Sequence, residues 1–140
     1  MNHYALSDIS IGHKETFEVT ITAEKMDLFK NLSGDLNPMH VDRDYAISHG
    51  YQDRLVYGML VSSFYSTLVG MYLPGEKCLL NKFEVNYKKP VYVGDVLSVL
   101  GEVVDIRMAT QRLVIKGKMI NQDGVVVNVS EIVVSFTREG

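Results

Sequence analysis

Residues 33–42, Ser-Gly-Asp-Leu-Asn-Pro-Met-His-Val-Asp, carry the densest group of side chains able to move protons: Asp35, Asn37, His40 and Asp42. A carboxyl that titrates near about 4 and an imidazole near about 6.5 can hold one water between them. One partner then removes a proton from the water while the other delivers a proton elsewhere. The stiff Asn37-Pro38 step would fix the separation of Asp35 and His40. A plainer reading stays open beside it. Asp35 and Asn37 can fold back on the backbone as turn formers, with His40 capping a neighbouring group. Residue types and spacing alone favour the turn.

Other chemistries find less support. No glycine-rich phosphate loop follows a strand pattern, and no Gly-x-Ser-x-Gly elbow occurs. His3, His13, His40 and His49 lack metal-ligand spacing, so no metal site is expected. Cys78 is the only cysteine, which excludes an intrachain disulfide and a thiolate cluster. Set between Lys77 and Leu79, it reads as a small apolar residue rather than a nucleophile.

A site of this kind needs elements to hold it. The chain has 140 residues, which suits one domain over 1–140. Hydrophobic residues are 46% and charged residues 22%, as in ordinary globular proteins, so disorder is excluded as the dominant state. A net charge of −3 argues against a nucleic-acid partner. No basic stretch followed by an apolar run opens the chain, and no apolar run reaches membrane-spanning length. A cytoplasmic protein with no membrane partner is the expectation.

Of 19 valines, 13 fall in residues 91–140. Valine is stiff at χ1 and suits a pleated surface, so this third reads as sheet. Strands are expected at Thr16–Thr22, around Phe83–Tyr87, at Val91–Val93, Val96–Val104, Leu113–Asn121 and Val125–Thr137. Gly94-Asp95 and Asp123-Gly124 supply turns, so the last three strands should pair antiparallel. A helix over Ala23–Leu32, capped by Thr22, presents Met26, Phe29 and Leu32 on one face. Asp42 caps a short helix through Ser48. The segment Leu55–Leu73 carries no charge and repeats Leu60, Phe64, Leu68 and Met71, which predicts a helix buried nearly all round. Phe64, Tyr65 and Tyr72 then belong to the core. A buried helix followed by an antiparallel meander gives an α+β fold, a sheet wrapped around that helix.

The run Phe29–Ala46, with Ser33-Gly34-Asp35-Leu36-Asn37-Pro38-Met39-His40-Val41-Asp42 at its centre, resembles the signature of the MaoC-like dehydratases, or (R)-specific enoyl-CoA hydratases. Leu55-Val56-Tyr57-Gly58-Met59-Leu60 and Lys89-Pro90-Val91-Tyr92-Val93-Gly94-Asp95 extend the likeness over nearly the whole chain. The resemblance implies a hotdog fold and a homodimer or higher assembly. It implies hydration of a trans-2-enoyl thioester to an (R)-3-hydroxyacyl thioester, or the reverse, with no cofactor beyond the coenzyme A or phosphopantetheine of the substrate. It assigns catalysis to Asp35 and His40, and to the Gly58 backbone N–H the polarising of the thioester carbonyl. Close packing at a helix start would equally explain Gly58. Asn37 would orient the loop. Ser66, on the helix face of Ser62, would lie near the substrate or serve only as a small packing residue.

Two positions depart from the pattern. Tyr57 stands where histidine is usual, and Arg54 where proline is frequent. Both would reshape the pocket mouth and with it the acyl preference. Lys88 and Lys89 either meet a substrate phosphate or decorate a solvated strand edge, the latter being commoner. Alternatives to a coenzyme A substrate are an acyl-carrier-protein partner, which would favour a basic patch of Arg43, Arg54, Lys88 and Lys89; a thioesterase; and a non-catalytic acyl-thioester-binding module.

Overall fold

The computed structural model describes residues 1–138. Five strands form one antiparallel sheet: β1 (Lys14–Thr20), β2 (Cys78–Tyr87), β3 (Val96–Arg107), β4 (Arg112–Ile120) and β5 (Val126–Phe136). Their spatial order is β1-β3-β4-β5-β2. The valine-rich third therefore supplies the three central strands, and the two edges come from elsewhere in the chain. Four helices precede β2: α1 (Ala23–Ser33), α2 (Pro38–Val41), α3 (Arg43–Ser48) and α4 (Gly58–Thr67), the last continued by a π-turn over Leu68–Tyr72.

Helix α4 lies against the sheet. Leu60, Val61, Tyr65, Leu68 and Val69 share one core with Leu97, Val99, Val103, Leu113, Ile115, Met119, Ile132 and Val134. The approach is close because two glycines face each other across β3 and β4, Gly101 opposite Gly117. A β-carbon on Gly101 would meet a Leu68 methyl at 2.8 Å, and one on Gly117 would overlap Ser130 Oγ and the Tyr65 ring. The helix is seated where the sheet has no side chains.

Several expectations are met and others shift. Thr22 caps α1, its hydroxyl accepting from the Lys25 amide. Asp42 caps α3 through the Tyr45 amide. The first strand ends two residues early, because Ile21 leaves the ladder to exchange hydrogen bonds with Gly94 and Asp95. Val91–Val93 is not a strand: only a single bridge joins Tyr92 to Leu55, and the chain turns at once into Gly94.

Helix α4 begins at Gly58, not Leu55, because Leu55 and Val56 are extended and bonded elsewhere. It is also not buried all round. Met59 is 76% exposed, and Ser63 and Ser66 face outward. Met71 is exposed while Leu73 is fully buried. The cause is the π-turn, where the Leu73 amide donates to the Leu68 carbonyl five residues back and moves the core stripe by one position. Leu32, expected on the inner face of α1, is 84% exposed. Of the helix aromatics, Tyr65 is buried, Phe64 packs against the core from its margin, and Tyr72 lies outside the core cluster, stacked on Phe17.

The glycine seat yields a direct test. Gly117→Ala is expected to cost about 3 kcal/mol of stability by overpacking, read as a lowered urea midpoint. Alanine at exposed Ser63 should leave the midpoint nearly unchanged.

Candidate active site

The loop after α1 is built by short side chains bonding the backbone just ahead of or behind them. Gly34 ends the helix with φ 72°, the left-handed conformation that glycine adopts without strain, and donates to the Lys30 carbonyl. Ser33 Oγ accepts from the Asp35 amide at 3.2 Å, and Asp35 Oδ1 accepts from the Asn37 amide at 2.9 Å. Asn37 Oδ1 accepts from the Met39 amide at 3.0 Å and caps α2, with Pro38 in its first turn. The turn-forming reading of Asp35 and Asn37 is thus correct as geometry. It does not exhaust Asp35, whose Oδ2 has no hydrogen-bond or ion-pair partner among the described residues.

His40 sits at the end of α2. Its Nδ1 lies 2.8 Å from the Leu55 carbonyl oxygen. A carbonyl only accepts, so Nδ1 carries the proton and donates. The neutral ring then keeps its lone pair on Nε2, free to take a proton. The imidazole also stacks on the Tyr57 ring, centroids 4.1 Å apart and planes 27° apart.

The extended residues 55–57 form a splint between two segments. On one side, the Leu55 amide donates to the Met39 carbonyl at 2.9 Å, and Arg54 Nη1 reaches the His40 carbonyl at 3.5 Å. On the other, the Val56 amide donates to the Val91 carbonyl at 2.8 Å. Asp95 fixes that second segment. Its carboxylate accepts from the Tyr92 amide and from Gln122 Nε2, each at 3.0 Å.

A cleft of about 330 Å³ opens beside the splint. His40 and Gly58 share its wall with Tyr87, Lys88, Lys89 and Asn128. Tyr57, the residue before α4, makes no side-chain cap, so the first-turn amides of the helix have no side-chain acceptor there. Tyr87 packs over Gly58: its hydroxyl donates to the Gly58 carbonyl at 3.0 Å and bonds Ser62 Oγ. A β-carbon at Gly58 would come within 3.2 Å of the Tyr87 ring, so the packing reading of this glycine holds as well. Lys88 and Lys89 line the cleft rather than a bare sheet edge.

Not every expected residue meets here. Asp35 is exposed and lies outside the cleft wall, joined to it through Tyr57, whose hydroxyl donates to the Asp35 carbonyl at 2.7 Å. Ser66 lies with Ser62, Leu80 and Phe83 around a separate apolar recess of about 90 Å³. Arg43 is paired with Asp53 at 3.5 Å and Arg54 is held to His40, which leaves Lys88 and Lys89 as the cations of the proposed patch that line the cleft. Burial pushes the Cys78 thiol up to about 11, so it stays protonated near neutrality and serves as a packing group.

Two cleft residues escaped the sequence reading. In sequence, Tyr87 reads only as an alternating strand residue. Asn128 is a buried amide whose Oδ1 accepts from Tyr65 at 2.6 Å, while its Nδ2 finds no partner among the described residues. Burial holds the Tyr65 phenol at about 12, which keeps it a donor. An asparagine interrupting the valine run Val125–Val129 is the available signal.

Known proteins are similar to this chain. Residues 9–124 match the family described as the MaoC like domain. The (R)-specific enoyl-CoA hydratase of Aeromonas caviae is 29% identical over 128 residues, covering 91% of this chain and 96% of that one. The mitochondrial 3-hydroxyacyl-[acyl-carrier-protein] dehydratase of Arabidopsis thaliana is 30% identical over 95 residues, covering 68% of this chain and 56% of that one. The structure of the R-hydratase PhaJ1 of Pseudomonas aeruginosa superposes with a TM-score of 0.88 at 28% identity, covering 96% of this chain and 86% of that one. The architecture is therefore the hotdog fold. No helix among the described residues is long and apolar enough to cross a membrane.

Proposed function

The chain belongs to the MaoC-like domain family, and from that membership we infer that it is a hydro-lyase interconverting trans-2-enoyl and (R)-3-hydroxyacyl thioesters. One observation carries the reading to this molecule. The Nδ1-to-Leu55 hydrogen bond of His40 turns a lone-pair-bearing Nε2 away from the backbone, and the same ring is linked through Tyr57 to the Asp35 loop.

In hydration, the water oxygen bonds to C3 of the enoyl group, the π pair takes a proton at C2, and one proton leaves the water. Asp35 and His40 are the two groups available for those transfers. Charge builds on the thioester oxygen as C3 is attacked. The Gly58 amide, at the positive end of α4, is placed to accept it, a contribution of about 3 kcal/mol for one such donor. Asn37 acts by holding the loop. Ser62 acts through Tyr87, over the same glycine. Nothing in this scheme calls for a metal or redox cofactor.

The carrier is the open choice between two readings. Lys88 and Lys89 at the cleft favour coenzyme A, whose nucleotide phosphates would meet them. Likeness to the Arabidopsis dehydratase favours an acyl carrier protein.

We further propose a homodimer. Strand β2 is an edge of ten residues, bonded only to β5, with Leu80 56% exposed and Phe83 and Tyr87 also open. Long apolar edges attract another strand. A second copy pairing β2 with β2 would close the sheet edge under a two-fold axis. It would also cover the outward side of α4 at Met59, Ser63 and Ser66.

Four outcomes are expected. Asp35→Asn and His40→Ala should each lose at least about 100-fold in kcat for crotonyl-CoA hydration, with unchanged melting; near-normal turnover in either, or release of free thiol instead, contradicts the assignment. Gly58→Pro removes the amide donor that Gly58→Ala retains, and should cost about 100-fold more in kcat than the alanine. The double substitution Lys88→Ala, Lys89→Ala should raise KM for crotonyl-CoA about tenfold at low salt, and much less for crotonyl-pantetheine; an equal effect on both would reject the phosphate contact. Sedimentation equilibrium should give twice the monomer mass, and Leu80→Lys with Phe83→Lys should return the monomer.

A further inference from the structure

We propose that Tyr57 is the positioning residue of this site, one side chain that sets the imidazole of His40 and the loop of Asp35 in a common frame. The proposal rests on the hydratase reading for its kinetic consequence and on the structure for its geometry. Tyr57 is 2% exposed and packs against Phe29 at 4.9 Å between centroids. Its ring stacks on His40 and its hydroxyl donates to the Asp35 carbonyl at 2.7 Å. It precedes α4, where a short polar side chain would usually cap the helix, yet it makes no cap. The hydroxyl is committed to the loop and not to its own helix. Burial pushes the phenol up, and the Asp35 charge adds to this, so the group stays protonated and keeps donating.

The two contacts constrain different motions. The Leu55 carbonyl holds His40 at Nδ1, which fixes the ring in its plane. Stacking on Tyr57 fixes it out of plane. The internal bonds of the Asp35 loop are local, each spanning two residues, from Ser33 to Asp35, Asp35 to Asn37 and Asn37 to Met39. Such turns shape the loop without anchoring it to the body. The Tyr57 hydroxyl bond spans 22 residues and supplies that anchor. Tyr57 also stands two residues from Leu55, so both restraints on His40 issue from one extended stretch.

The phenol and the ring can be separated by substitution. Tyr57→Phe keeps the stack and removes the tether; Tyr57→Leu removes both. For crotonyl-CoA hydration, Tyr57→Phe should lower kcat about tenfold with KM within about twofold, and Tyr57→Leu should lower kcat about 100-fold. Backbone order parameters of residues 35–37 in Tyr57→Phe should fall from about 0.85 towards 0.6, while those of α4 stay high. A purely structural role would lower the melting temperature of Tyr57→Phe and leave kcat per folded molecule and loop order unchanged, which would overturn the proposal. If the wild-type chain hydrates no enoyl thioester, the functional reading fails on its own. The order parameters then still decide the tether: unchanged values in Tyr57→Phe reject it, and lowered values sustain it.

Discussion

The site depends on three residues that refuse to be helical. Leu55, Val56 and Tyr57 run extended directly before α4, and each hydrogen-bonds to a different part of the chain. Leu55 binds the Met39–His40 turn through its amide and its carbonyl. Val56 binds Val91, on the segment that Asp95 locks to Gln122 and so to the sheet. Tyr57 binds Asp35. The loop bearing Asp35 and His40 is thereby referred to the sheet through a splint, beside the packing of α1 through Met26. Because Leu55 can only accept at its carbonyl, the splint also selects which imidazole nitrogen of His40 holds the proton.

Beneath this lies a packing constraint. Helix α4, whose first residue Gly58 lines the cleft, sits close to the sheet. Gly101 and Gly117 make that approach possible by removing side chains from the two strands below Leu68 and Tyr65. Tyr65 then reaches past Gly117 to Asn128, whose strand residue partner across the sheet is Tyr87. Tyr87 returns to Gly58 and Ser62. Core packing and cleft wall share the same side chains, so the position of the Gly58 amide is set by the interior of the protein.

Local chemistry made much of this legible beforehand. Thr22 and Asp42 announce helix starts because their short oxygens satisfy first-turn amides, and each does so in the structure, whereas the cap that Asn37 makes on α2 reads in sequence only as a turn. The meander is readable because alternation and the Asp123-Gly124 turn act within a few residues. The loop motif with Asp35 and His40 pointed to the reaction through its family likeness, and the relatives bear that likeness out. What escaped was set by distant partners. Periodicity extends Leu60 and Phe64 back to Leu55, but Val91 and Tyr92 claim those residues. The π-turn that exposes Met71 and buries Leu73 leaves no mark in the hydrophobic pattern. The gathering of Tyr87 with Gly58 depends on strand order, which no local rule supplies. The outward side of α4 looked buried in sequence because it is uncharged, and in one chain it is open.

The central claim is that two groups on one loop, framed by the splint, add water across an enoyl thioester with fixed stereochemistry. Hydration of crotonyl-CoA in heavy water, with chiral analysis of the product and NMR of its C2 position, tests this most directly. The account predicts (R)-3-hydroxybutyryl-CoA with a single deuterium at C2 in one configuration. Deuterium scrambled over both C2 positions, an (S) product, or recovery of unchanged substrate together with every longer and carrier-bound enoyl thioester would contradict it.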